Sequence, residues 1–306
     1  MRLDDLPESD NIEDRRGESY AGGGGGFGLP VGRGGLGIGT IVVLGLIGYA
    51  FGIDPSVLIG GAEILSGGGS PSSYQSPAPQ QQRQTGRPAD EIGRTVSRIL
   101  GSTEVQWKQI LAEQNISYRP PRLALFNGAT DSACGDAQRA MGPFYCPNDR
   151  VIYLDTEFFD ELQTKFRGCS GKGCQFAEAY VIAHEVGHHV QNLLGILPKV
   201  QQAQRGMDTK SRNALQVRVE LQADCFAGIW ANHSDEKWRI LEKGDVEAAL
   251  QTAAAIGDDK LQKAARGYVV PDSFTHGSSE QRVRWFSAGL QKGTIAACDT
   301  FNAVQF

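Results

Sequence analysis

Two histidines four residues apart, with a glutamate directly after the first, occupy residues 181–189, Val-Ile-Ala-His-Glu-Val-Gly-His-His. On a helix, positions i and i+4 share one face, so His184 and His188 can offer both imidazoles to one zinc ion. Glu185 would then point beside that ion, where a carboxylate can take a proton from an attacking water. Such a pair can also lie on a solvated face, or a buried histidine can simply hydrogen-bond in the core. The flanks favour the metal. Ala179, Val181, Ile182 and Ala183 precede the motif, and Val190, Leu193 and Leu194 follow it. They describe a largely buried helix, on which two imidazoles and a carboxylate need partners. His189 points about 100° away from His188, and is expected to pack or hydrogen-bond rather than ligate.

A catalytic zinc keeps three protein ligands and one open position. The five histidines are 184, 188, 189, 233 and 276, and Leu194 stands where a three-histidine motif would have its last ligand. Glu220 and Asp224 offer the other solution, four apart on one face of an apolar helix expected over 214–230. Glu220 is assigned as the third ligand. Asp224 would accept the free N–H of a ligating imidazole and so fix its tautomer. The plainer reading is a surface carboxylate pair bound to Arg218.

Glu-x-x-x-Asp downstream of His-Glu-x-x-His resembles the gluzincin arrangement of thermolysin-like enzymes and of the HtpX and CAAX prenyl proteases. The wider text is His-Glu-Val-Gly-His-His-Val-Gln from residue 184, Glu-Leu-Gln-Ala-Asp-Cys from 220 and His-Gly-Ser-Ser-Glu-Gln-Arg from 276. Over essentially the whole chain, to Phe301, it resembles the bacterial neutral zinc metallopeptidase family. That resemblance implies a membrane-anchored hydrolase with one catalytic Zn²⁺ and a protein or peptide substrate. HtpX-like enzymes carry a similar histidine, small residues and a trailing arginine near the catalytic cleft. By that likeness His276 is the donor to the oxygen that gains charge in the transition state. Arg282 would add charge or anchor the loop through a carboxylate. The same stretch also reads as a helix start, with Ser278 or Ser279 capping a helix over 282–290, and both readings can hold. Gly277 stands where the HtpX-like pattern has proline, which departs from that loop geometry.

The chain has 306 residues, and its organisation is uneven. Residues 1–33 are acidic and then Gly-rich, with too few large apolar groups to fold alone, and are expected to be disordered. Residues 34–53 carry no charge and match the hydrocarbon thickness as one transmembrane helix, with a Gly-rich linker as the alternative. Arg15, Arg16 and Arg33 precede that stretch and no basic residue follows until Arg83. The positive-inside rule then sets the N-terminus in the cytoplasm and the catalytic domain outside, anchored to the inner membrane. Residues 54–88 read as a flexible linker and 89–306 as the catalytic domain.

All six cysteines (134, 146, 169, 174, 225 and 298) lie beyond that span. An exported domain can oxidise them. Cys169–Cys174 closes a short loop, Cys134–Cys146 is the next natural pair, and Cys225–Cys298 remains, among fifteen possible pairings. No Cys-x-x-Cys supports a second zinc site. A net charge of −5 with no basic stripe leaves nucleic-acid binding without a footprint.

The expected fold is α+β: a mostly helical, zincin-like domain with a small sheet. Strands are expected at 122–126 and 150–154, the latter as the edge that receives substrate as an added strand. Helices are expected from an Asp90 cap, from an Asp155 cap through Phe166, and over 175–194, 214–230 and 245–265. Two further functions share these residues: a zinc-stabilised binding or assembly factor without turnover, and an amidase acting on a cell-wall bond.

Overall fold

The computed structural model describes residues 1–18, 84–85, 88, 90–164 and 167–303. The expected span at 34–53 and nearly all of the 54–88 linker lie outside the described residues. Among the described residues, no helix is long and apolar enough to cross a membrane. Residues 1–18 and 84–306 belong to one compact unit, mostly helical with small sheets.

Five strands form the main sheet: β1 (Ile12–Asp14), β2 (Gln84–Thr85), β3 (Arg122–Phe126), β6 (Phe144–Cys146) and β7 (Val151–Asp155). Their order is β2-β1-β3-β7-β6, and β4 (Ala129–Ser132) and β5 (Gly135–Gln138) form a separate hairpin. β3 and β7 run parallel, Leu123 beside Ile152, and both are near-continuous apolar runs, as strands covered on both faces must be. The expectation that residues 150–154 form an edge is corrected here. β7 lies between β3 and β6, all five of its residues are buried, and β6 ends the sheet on that side.

Helix α1 (Glu91–Glu113) starts at Asp90, whose carboxylate accepts the Gly93 amide at 2.9 Å. Asp155 accepts the Glu157 amide at 3.0 Å and opens α2 (Glu157–Thr164). Residues 165 and 166 lie outside the described residues. Then come α3 (Cys174–Leu193), α4 (Ile196–Gln204) and α5 (Thr209–Trp238). α5 outruns the expected 214–230 because Asp208 caps it early, its carboxylate accepting the Ser211 amide at 3.0 Å. The helix expected over 245–265 is two, α6 (Asp245–Ala255) and α7 (Asp258–Arg266). They part at Gly257, where the backbone is extended and a Cβ would stand 2.6 Å from the Ser279 amide nitrogen. The last helix, α8 (Ser279–Lys292), opens with a capping box between Ser278 and Gln281, and so starts one turn before residue 282.

The N-terminal segment departs furthest from expectation. Residues 1–18 are not disordered: Met1, Leu3, Leu6 and Ile12 are buried in the core, and β1 pairs with β3 in parallel, Ile12 beside Leu123. Composition missed this because charged residues make the fit. Arg15 is buried against Glu13 at 2.6 Å and lies over the Tyr153 ring, and Arg122 also binds Glu13. A strand hydrogen-bonded to the catalytic unit cannot stand across a bilayer from it. The expected crossing at 34–53 lies outside the described residues, and the pairing of β1 with β3 ties residues 1–18 to the same unit as the rest of the sheet.

All six cysteines are paired, as Cys134–Cys146, Cys169–Cys174 and Cys225–Cys298.

Candidate metal centre

The two histidines face α5 because α3 and α5 cross at Gly187. A Cβ at that position would lie 2.9 Å from the Ala223 carbonyl oxygen and 3.1 Å from its Cα, so only glycine lets the backbones approach this closely. The crossing sets Glu220 and Asp224, one turn apart, opposite His184 and His188.

Glu220 Oε2 is 3.3 Å from His184 Nε2 and 3.4 Å from His188 Nε2, and the three donor atoms lie within 4.8 Å of one another. The other ring nitrogens are engaged: His184 Nδ1 lies 2.8 Å from Asp224 Oδ1, and His188 Nδ1 lies 2.9 Å from Gln191 Oε1. An acceptor at Nδ1 draws the proton there and leaves the Nε2 lone pair for a metal. Glu220 Oε1 accepts from Gln216 Nε2 at 3.0 Å, whereas Oε2 is buried without a hydrogen bond. Two imidazole lone pairs converging on an orphaned carboxylate oxygen need a cation between them, and the donor set suits zinc. Without one, the charge must come from protons. Burial opposes a charge on His188, yet the Glu220 carboxylate overrides it and pushes the imidazolium up to about 9. Burial likewise works against ionisation of Glu220, and the two imidazoles hold it well below the carboxylate range.

Asp224 organises the surroundings. Its Oδ1 takes the Tyr180 hydroxyl at 2.6 Å, and Arg282 donates Nε to Oδ2 and Nη2 to Oδ1, both at 2.9 Å. Arg282 is 3 % exposed and also reaches Tyr180 and the Ile256 carbonyl, so of its two expected roles it takes the anchoring one. Arg218, which was to bind a surface carboxylate pair, turns instead to the carbonyls of Thr300 and Phe301. Gln191 reaches the Val219 carbonyl at 2.8 Å and Gln222 at 3.0 Å, which fixes the oxygen that holds His188. Sequence reasoning did not assign Gln191; its position three residues after His188 was the available signal. His189 faces away, between the Tyr145 hydroxyl and the Arg119 carbonyl.

Glu185 follows the first imidazole, is 6 % exposed and accepts no hydrogen bond from a described residue. Burial pushes its carboxyl up, and the neighbouring histidines pull it down. His276 lies on the loop before α8, its side chain 46 % exposed, close enough to Glu185 and Glu220 for its charge to stabilise both. Gly277 has φ +93°, which proline, locked near −65°, cannot adopt. The loop therefore follows a different path from one with proline there.

Residues 1–301 match the family described as "Putative neutral zinc metallopeptidase". The chain belongs to this family. Its relatives include "Uncharacterized protein YpfJ" of Escherichia coli K12, 47 % identical over 303 residues, which are 98 % of this chain and 99 % of that one. "Uncharacterized protein Rv2575" of Mycobacterium tuberculosis is 43 % identical over 211 residues, 66 % of this chain and 68 % of that protein. No solved structure matches. The match runs through the N-terminal arm, so the metallopeptidase family takes in β1 together with the helices of the centre.

Proposed function

We propose that the protein is a zinc peptidase that hydrolyses peptide bonds, with His184, His188 and Glu220 holding one zinc ion and Glu185 as general base. The observation that carries this reading is the orphaned Glu220 oxygen facing two imidazole nitrogens, with an unengaged, buried carboxylate beside them. Bound there, zinc would supply Lewis-acid polarisation of the scissile carbonyl and a lowered pKa for the attacking water. Glu185 takes the proton from that water and returns it to the leaving amine. His276 donates to the carbonyl oxygen as charge develops on it. Asp224, locked by Arg282 and Tyr180, holds His184 in one tautomer and orientation.

Three disulfides within one unit support an oxidising compartment outside the cytoplasm, and the pairing of β1 with β3 supports the same compartment for residues 1–18.

The test is zinc content and cleavage of denatured casein by the full chain and by Glu185→Gln. Stoichiometric zinc in both, with cleavage reduced more than about 100-fold in the variant, is the expected result. Full cleavage by the variant would overturn the mechanism. Zinc in both with cleavage by neither would favour a binding factor or a cell-wall amidase.

A further inference from the structure

Asp258 is the first residue of α7, where a carboxylate ordinarily serves its own helix. Here it is turned to another segment. Its Oδ2 accepts the backbone N–H groups of Thr275, His276 and Gly277 at 2.7, 2.7 and 3.0 Å, and its own N–H donates to the Gly277 carbonyl at 2.9 Å. Its Oδ1 stands 3.5 Å from His276 Nδ1, which also meets the Thr275 hydroxyl at 3.1 Å, and the carboxylate side chain is 2 % exposed. Asp259 adds a second tie, Oδ1 accepting from Ser279 N and Oγ, both at 2.7 Å. Both carboxylates stand at the start of α7, directly after Gly257.

We propose that Asp258 is the positioning residue for His276, fixing both the loop path and the ring so that Nδ1 faces the carboxylate and Nε2 is left for the substrate oxygen. This rests on the role given to His276 above. A carboxylate that accepts three amides is held as an anion, and an anion beside Nδ1 keeps that nitrogen protonated. Asparagine at 258 would retain the size and one acceptor but lose the charge, and would turn an N–H₂ towards either the loop amides or the ring. A mere loop staple predicts something different: any loosening would raise KM and act whether or not residue 276 is a histidine.

The experiment is a double-mutant cycle on the zinc-loaded full chain, with Asp258→Asn, His276→Ala, the double variant and Asp259→Asn, read on denatured casein. Asp258→Asn should lower kcat about 10- to 100-fold with KM and zinc content unchanged. Added to His276→Ala, it should cost nothing further, and Asp259→Asn should show no such coupling. Independently of turnover, ¹⁵N-histidine NMR should show the His276 ring nitrogens shifting in Asp258→Asn while the other four histidines stay in place. Losses that add in the double variant, or His276 resonances that do not move, would overturn the proposal. If the zinc-loaded wild type itself left casein uncleaved, the peptidase reading would fail, while the NMR result would still decide whether Asp258 sets the ring.

Discussion

Asp224 is the residue on which the centre depends most after the ligands themselves. Burial makes ionisation costly there, yet Arg282 and His184 hold its carboxyl far below the usual range. Asp224 is the anion that Arg282 binds directly, through Nε and Nη2, so Asp224→Asn leaves its buried guanidinium without its hydrogen-bonded counter-charge. Removing one partner of such a pair costs about 3–5 kcal/mol. The expected outcome is a lower urea midpoint together with zinc affinity reduced about 10- to 100-fold in chelator competition. If zinc affinity held while the midpoint fell, Asp224 would serve the fold and not the metal. The candidate ligand triad was legible in the chain because one helix fixes His184 against His188 by spacing alone, and Glu220 stood out through its i+4 partner. Asp258 was not legible: its partners Thr275, His276 and Gly277 lie 17 to 19 residues away, and only the tertiary path brings them together.

Two elements carry predictions of their own. Gly187→Ala should force α3 and α5 apart, since the new Cβ would meet backbone atoms that cannot yield. Overpacking of this kind costs about 1–3 kcal/mol, and because it separates His188 from Glu220 it should weaken zinc binding as well as stability. Unchanged zinc affinity in this variant would count against the crossing as the device that sets the ligands. The N-terminal arm is tied to α1 by Arg16, which bonds Asp14 and Asp90. Hydrogen bonding to Arg16 lowers both carboxyls, Asp90 to about 2. Folded values below the unfolded ones mean the tie is fully present above pH 4 and lost as pH falls through about 2. Amide exchange in residues 12–16, corrected for intrinsic rate, should therefore rise between pH 5 and pH 2.5, and Arg16→Met should abolish the difference. Exchange that does not change with pH in the wild type would remove Arg16 as the tie. Most helices were readable from caps and apolar spacing. β1 was not, because a three-residue strand bearing Glu13 and Asp14 has no periodicity to detect. The need for glycine at 257 was equally hidden, since the close approach is by Ser279 on another element.

For the molecule as a whole, the pairing of β1 with β3 decides what any membrane association can look like. The pairing predicts that residues 1–18 and the rest of the unit lie on one side of any bilayer. Cysteines introduced singly at Asp4 and Lys210, whose side chains are 97 % and 70 % exposed, should react with an impermeant maleimide on the same side of the membrane in intact cells. Native thiols will not interfere, since none is free. Labelling from opposite sides would show that β1 is not paired in the cell. The paired cysteines predict reaction without permeabilisation for both positions. A fragment of residues 89–306 would lack β1 and with it Leu3, Leu6 and Ile12 of the core. There is also a consequence for the order of events during synthesis. β1 is made more than 100 residues before its neighbour β3, and the Arg2 amide waits for the Ile240 carbonyl. At roughly 5–20 residues per second the arm stays undocked for on the order of ten seconds or more. It is thus translated early and seated late: its strand waits for β3, and its first residues wait for a carbonyl made more than 100 residues later still.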